Sequence, residues 1–216
     1  RINVSLDSLD SKTYGEMNGR HFPVEKVLRS IEKAAATGLH IKINMVVQKG
    51  INEQDIIPMA KYCFEKGYTL RFIEYMDVGN TNRWNMAQVV PSQHILELLH
   101  KEMPVQPVVS NDNGEVAKRY KYVGTNKEIG FISSVTEAFC SDCNRARISA
   151  DGKLYTCLFA TTGTDVKAIL QNQCDEEVKL QLMNIWRYRH DRYSEERNTL
   201  NEIRSSNKIE MSYIGG

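Results

Sequence analysis

The chain has 216 residues, 41% of them hydrophobic, enough for one large domain or two smaller ones with buried cores. Lys plus Arg number 28 against 27 Asp plus Glu, so the formal net charge of +1 carries no long-range field toward nucleic acid or a membrane surface, and any anion site must be local. No apolar run approaches the ~20 residues of a membrane span.

The first ten residues, RINVSLDSLD, show no basic and apolar leader, which points to a cytosolic protein. They also lack an initiator Met and enter directly into a strand pattern, as expected of a fragment whose upstream part has been removed. In residues 1–7, Ile2, Val4 and Leu6 alternate with Asn3, Ser5 and Asp7. From Pro23 to Thr37, Val24, Val27, Leu28, Ile31, Ala34 and Ala35 keep a helical period that Gly38 ends. Residues 40–48 alternate again, with Lys42 and Asn44 opposite Ile41, Ile43 and Met45. A helix over about 55–66 stops at Gly67, and residues 69–75 read as a third strand. Strand and helix alternate at the spacing of parallel βαβ units, so the expected fold class is α/β, a partial (β/α) barrel. In such a barrel Asn3, Ser5, Asp7, Lys42, Asn44 and Arg71 share the inward face. They either fill its centre as a polar network or bind a ligand. Two cations at mid-strand favour an anionic ligand or acidic partners on other strands, because burying them alone is costly.

Residues 79–91 read as a loop, and Ser92 as the cap of a helix to about Glu102. The composition changes near residue 90. This places a domain boundary there, between the barrel part at 1–90 and a C-terminal α+β region at 91–216. The runs AKRYKYV and EIGFISSV around GTNK predict an antiparallel hairpin. A short helix is expected near 165–171 and a longer one over about 175–188, buried through Val178, Leu182 and Ile185.

The five cysteines, at 63, 140, 143, 157 and 174, are odd in number and unevenly spread, which suits metal binding in a reducing compartment better than a disulfide framework. Three of them fall in FCSDCNRARISADGKLYTCLF, residues 139–159. A two-residue turn at Asp151-Gly152 would put Cys157 on the face opposite Cys143. A three-residue turn at Ala150-Asp151-Gly152, with Gly152 in the left-handed bulge position, pairs Arg145 with Cys157 instead. Cys143, Arg145, Arg147 and Cys157 then share a face that Cys140 reaches from the preceding loop. The second register is favoured because glycine suits the left-handed position. A closed zinc site would need a fourth ligand from Cys63, Cys174 or one of five histidines, none at a typical spacing. A 4Fe-4S cluster on three cysteines leaves one iron open to a substrate. Two adjacent arginines then suggest a substrate with an anionic tail.

The stretches INVSLDSLD, IKINMVVQKGIN, LRFIEYMDVGN, FCSDCNRARISADGKLYTCLF and the terminal SYIGG together resemble the GTP 3′,8-cyclase family, radical S-adenosylmethionine lyases of molybdenum cofactor (molybdopterin) biosynthesis. The resemblance runs the length of the chain. It implies conversion of GTP to 3′,8-cyclo-7,8-dihydro-GTP, begun by a 5′-deoxyadenosyl radical made at one 4Fe-4S cluster, while a second cluster binds guanine. It implies Cys140, Cys143 and Cys157 as ligands of that second cluster. Lys42, Arg71, Arg145, Ala146 and Arg147 match GTP-binding positions, Ser5 and Met76 match S-adenosylmethionine contacts, and Gly215 and Gly216 match a catalytic tail. GTP is the implied partner and the intact protein an implied homodimer, with a downstream pathway enzyme as a further partner. The CxxxCxxC motif that holds the family's first cluster does not occur in these 216 residues. The expectation is therefore the C-terminal two-thirds of such an enzyme, silent alone, with an unpaired strand edge at residues 1–7. A radical enzyme acting on peptides and a non-catalytic zinc module are the competing readings.

Overall fold

The alternation at the start of the chain forms β1 (Ile2–Ser5), and Asp10 then caps α1 (Ser11–Met17) by accepting the Thr13 N–H at 2.8 Å. This helix escapes a periodicity reading because SKTYGEM has no apolar stripe; the cap residue is its only cue. α2 (Val24–Ala36), β2 (Ile41–Val47), α3 (Ile56–Lys66) and β3 (Thr69–Glu74) follow where the periods place them, with Gly38 and Gly67 at φ 81° and 71° after the two helices. α4 (Ser92–Glu102), β4 (Val105–Pro107), β5 (Lys118–Tyr122) and β6 (Glu128–Ile132) come next. The computed structural model describes residues 1–78, 84–109, 115–200 and 209–214. Of the loop expected over 79–91, residues 79–83 lie outside that set, and Met86–Gln88 form a 3₁₀ turn.

Two compact units emerge, Arg1–Met76 with Trp84–Glu137, and Asp77–Arg83 with Ala138–Gly216. In the first, one six-stranded sheet has the order β1-β2-β3-β6-β5-β4. β1, β2, β3 and β6 are mutually parallel, and β5 and β4 continue the sheet antiparallel. The hairpin that composition assigns to a separate C-terminal region thus extends the parallel sheet, with Phe72 of β3 stacked on Phe131 of β6. The compositional change near residue 90 falls inside this unit. β2 has Ile41, Ile43, Met45 and Val47 buried with half-buried residues between them. With Leu70, Phe72, Ile129 and Phe131 they form the core under α2, α3 and α4. Cys63 is 1% exposed in that core, as its place on the apolar side of α3 predicts.

Glu74, at the end of β3, is 1% exposed and holds three segments together. One carboxylate oxygen accepts the Ser92 N–H at 2.8 Å and the Thr136 hydroxyl at 2.5 Å. The other accepts the N–H groups of Val135 and Thr136 at 2.9 and 2.8 Å. Ser92 is therefore not the side-chain cap expected: Pro91 occupies the cap position, and the first turn of α4 is satisfied by a carboxylate from another strand.

The second unit carries a three-stranded antiparallel sheet of β7 (Arg147–Ile148), β8 (Lys153–Tyr155) and β9 (Thr164–Asp165). Helices α5 (Val166–Asn172), α6 (Asp175–Arg187) and α7 (Tyr193–Leu200) follow, then a 3₁₀ turn at Met211–Ile214. Of the stripe expected on α6, Val178 is buried and Leu182 and Ile185 are half-buried. Asp77 is ion-paired with Arg197 at 2.8 Å, both nearly inaccessible, and also accepts the Tyr193 hydroxyl. No helix of the described residues is long and apolar enough to cross a membrane.

Candidate functional site

The turn between β7 and β8 decides which side chains meet. Ser149 donates its N–H to the Lys153 carbonyl at 3.0 Å, Gly152 donates to the Ser149 carbonyl at 2.9 Å, and Gly152 has φ 84°. The ladder pairs Arg147 with Tyr155 and Ile148 with Leu154. This is the three-residue turn with glycine in the left-handed position; the ladder ends at Arg147 and Tyr155, and Arg145 and Cys157 each lie two residues beyond it, outside the strands.

Around that hairpin, Cys143 turns back on Cys140, its N–H donating to the Cys140 carbonyl at 3.3 Å. The Arg145 guanidinium donates to the Cys143 sulfur at 3.5 Å, while the Arg145 Nε is buried with no hydrogen-bond partner among the described residues. Burial pushes the Cys143 thiol up, but the backbone N–H and guanidinium of Arg145, with the charge of Arg189, outweigh it and hold the thiol below its usual range. Cys157 goes the other way. Burial pushes it up to about 11 against the Phe159 N–H, which donates to its sulfur at 3.4 Å, and the charges of Asp191, Cys140 and Cys143 add to the rise. Burial and the charge of Arg145 lower Arg147, and the thiols of Cys157 and Cys143 oppose that shift. Cys140, Cys143, Cys157, Arg145 and Arg147 are thus one electrostatic cluster. Ala146 separates the two arginines, of which Arg147 opens β7 and Arg145 lies just before it. Beside Cys157 opens a polar cavity of about 340 Å³, walled by Thr156, Thr161, Thr164, His190 and Asp191.

Among the described residues no group of three or more His, Cys, Asp or Glu could hold a single metal ion. A cubane takes each thiolate on a different iron, so its ligands need not converge on one point. The donor set suits that kind of group: three soft thiols, N–H and guanidinium donors directed at two sulfurs, and a buried Arg145 Nε still lacking an acceptor. Arg189 is a residue that sequence reasoning missed. It donates to the Cys143 carbonyl and lies 3.8 Å over the Trp186 ring, and only its place on the chain between α6 and α7 brings it there.

In the first unit, strand register lays the expected polar residues in rows on one sheet face. Ser5, Asn44, Arg71, Gly130 and Arg119 are successive neighbours across β1, β2, β3, β6 and β5, and Asn3 and Lys42 lie one row away. Burial lowers Lys42, and the charges of Arg71 and Arg1 add to it; burial also lowers Arg71. Neither makes an ion pair among the described residues, whereas Arg119 pairs with Glu115 at 3.3 Å and Glu128 at 3.5 Å. The Asn44 Oδ1 is buried without a hydrogen-bond partner among the described residues. Ser5 is exposed on the edge strand and Met76 half-buried just past β3. Gly215 and Gly216 lie outside the described residues.

Residues 68–195, from just before β3 into the first turn of α7, match the family model for Molybdenum Cofactor Synthesis C. The chain belongs to that family. Residues 1–63 match the model of the Radical SAM superfamily. Over 220 residues the chain is 43% identical to a Staphylococcus epidermidis protein named GTP 3′,8-cyclase. It is 43% identical over 219 residues to a Staphylococcus haemolyticus protein and 44% identical over 219 to one from Staphylococcus aureus, both of the same name. Each alignment covers 100% of this chain and 64% of the relative, so the chain spans just under two thirds of those proteins. The family match begins at β3 and takes in the β4–β6 extension, in keeping with a sheet that runs through the compositional change near residue 90.

Proposed function

We propose that this chain is the substrate-side portion of a GTP 3′,8-cyclase, which converts GTP to 3′,8-cyclo-7,8-dihydro-GTP in molybdenum cofactor biosynthesis with S-adenosylmethionine. The observation that carries the reading is the turn at Gly152, which gathers the Cys140–Cys143 loop, Cys157 and two arginines at one hairpin in a chain 43% identical to proteins of that name. Cys140, Cys143 and Cys157 would hold a 4Fe-4S cluster, which supplies an open iron as a Lewis-acidic seat for the guanine base. Arg145 and Arg147 balance the negative charge of the thiolates and present donors to the bound nucleotide. Lys42 and Arg71, partly desolvated and without ion pairs among the described residues, attract its anionic end. Ser5 and Met76 contact S-adenosylmethionine, and Gly215 and Gly216 take part in catalysis. The intact protein works as a partial (β/α) barrel with this domain, as a homodimer, in the cytosol; five free cysteines fit a reducing compartment.

The test is anaerobic reconstitution of the chain with iron and sulfide, followed by paramagnetic resonance with and without GTP. The expected result is one cubane per chain, its signal shifted by GTP and lost in Cys143→Ser. A cubane indifferent to GTP would turn the reading toward a radical enzyme of another substrate class. Tight stoichiometric zinc with no cubane would replace it by a zinc module.

A further inference from the structure

Gly130 sits at the centre of β6 between the buried Ile129 and Phe131, and it is not among the glycines with positive φ. Its backbone therefore does not call for glycine, and a glycine inside a strand weakens it. What the missing side chain provides is space. A Cβ at this position would stand 3.3 Å from the Cγ of Arg71 and 3.4 Å from the Cβ of Ala117. Arg71 is the in-register neighbour of Gly130 on one side and Arg119 on the other, so the Arg71 stem leans over the gap toward β5. Two arginines consequently share one face only two strands apart, roughly 10 Å, and they are treated differently. Arg119 is tied to Glu115 and Glu128; the charges of both carboxylates reach Lys42 and that of Glu115 reaches Arg71, yet Lys42 and Arg71 are left without ion pairs among the described residues.

We infer that Gly130 and Arg119 are positioning residues for a polyphosphate. Gly130 gives the Arg71 side chain its path across the sheet, and Arg119 holds Glu115 and Glu128 away from the Lys42–Arg71 pair, so that both cations stay open to the triphosphate end of a nucleotide. This rests on the reading that Lys42 and Arg71 face the nucleotide's anionic end, and it adds two residues that touch no ligand. Neither substitution removes a cation from the Lys42–Arg71 pair. Gly130→Ala crowds the Arg71 stem, and Arg119→Gln releases two carboxylates to pair with Lys42 and Arg71.

Calorimetric titration of the chain with inorganic tripolyphosphate and with GTP tests the assignment. Gly130→Ala is expected to weaken tripolyphosphate about tenfold, the scale of one charge-assisted contact, with an unchanged circular dichroism spectrum. In an Arg71→Ala background the same change should cost nothing further, because the side chain it crowds is gone. Arg119→Gln should weaken binding similarly, and adding Glu115→Gln with Glu128→Gln should restore it, which a merely structural defect would not allow. If Gly130→Ala does not fold, the Arg119 series decides alone. Wild-type affinity in Gly130→Ala, an equal loss in the Arg71→Ala background, no rescue of Arg119→Gln, or no tripolyphosphate binding by the wild-type chain each overturns the inference. Tripolyphosphate binding without GTP binding overturns the functional reading instead and leaves the phosphate series to judge this one.

Discussion

Replacing Glu74 by Gln keeps the size and removes one acceptor from a carboxylate with four donors. The amide nitrogen has a better and a worse orientation. Toward Val135 and Thr136 it would face two backbone N–H groups; toward Ser92 and the Thr136 hydroxyl it faces one, since the hydroxyl can reverse and accept. Even that better orientation leaves the Ser92 N–H buried and opposed, costing about 1–3 kcal/mol, and takes charge assistance from two remaining bonds, about 1 kcal/mol each. The expected loss for Glu74→Gln is therefore about 3–5 kcal/mol. It would be read by hydrogen exchange at the amides of Ser92, Val135 and Thr136, which report the first unit without assuming that both units unfold together. Protection falling by less than about tenfold at all three amides, roughly 1.4 kcal/mol, would refute the view that this carboxylate ties β3, α4 and the segment after β6 together.

Asp7 is raised from 3.8 to about 6, chiefly by burial, against the lowering effect of the Val46 N–H it accepts at 2.8 Å. A raised carboxyl binds its proton more tightly in the folded state, so its contribution is fully present below about pH 4 and is lost as pH rises through 6. The loss is roughly 2–3 kcal/mol. Asp7→Asn should flatten the stability profile between pH 4 and 7 and stabilise the protein at pH 8, as denaturant midpoints would report. In the cluster-free chain, iodoacetamide should modify Cys143 ahead of Cys157, because Arg145 lowers the first thiol and burial raises the second. Arg145→Gln should narrow the difference in peptide mass mapping. Gly152→Ala forces a left-handed residue and sets a Cβ 2.5 Å from the Lys167 side chain, costing about 1–2 kcal/mol. It should lower the melting temperature and reduce iron loading at the three cysteines, measured by iron content after reconstitution.

Apart from α1, which has no apolar stripe, the strands and helices of residues 1–75 were legible because each carries its own pattern, down to the glycine stops at 38 and 67. The cysteine hairpin was legible for the same kind of reason: one local choice, glycine in the left-handed position, fixes the register of both arms. The pairing of β6 with β3 was not, because parallel pairing across an intervening helix and hairpin leaves no local signature, and composition alone drew the boundary inside the sheet. Glu74 and Arg189 were missed since an acid at a strand end and an arginine after a helix read as surface charge until their distant donors and acceptors are in place. Lys42 and Arg71 stood out because cations at mid-strand conflict with burial. That Arg71 shares a row with Gly130 and Arg119, and that Lys42 lies one row away, required the register.

The strand order also sets a sequence of assembly. β5 and β6 are joined by a short turn and can close early, but β6 reaches β3 only after the chain from Glu74 to Glu128 has been gathered in, and parallel pairings across such a span form slowly. Arg71 and Gly130 meet at that seam. The face bearing Lys42 and Arg71 is therefore the part of the first unit that folding completes late, so a chain still emerging from the ribosome cannot present it until β6 has been made.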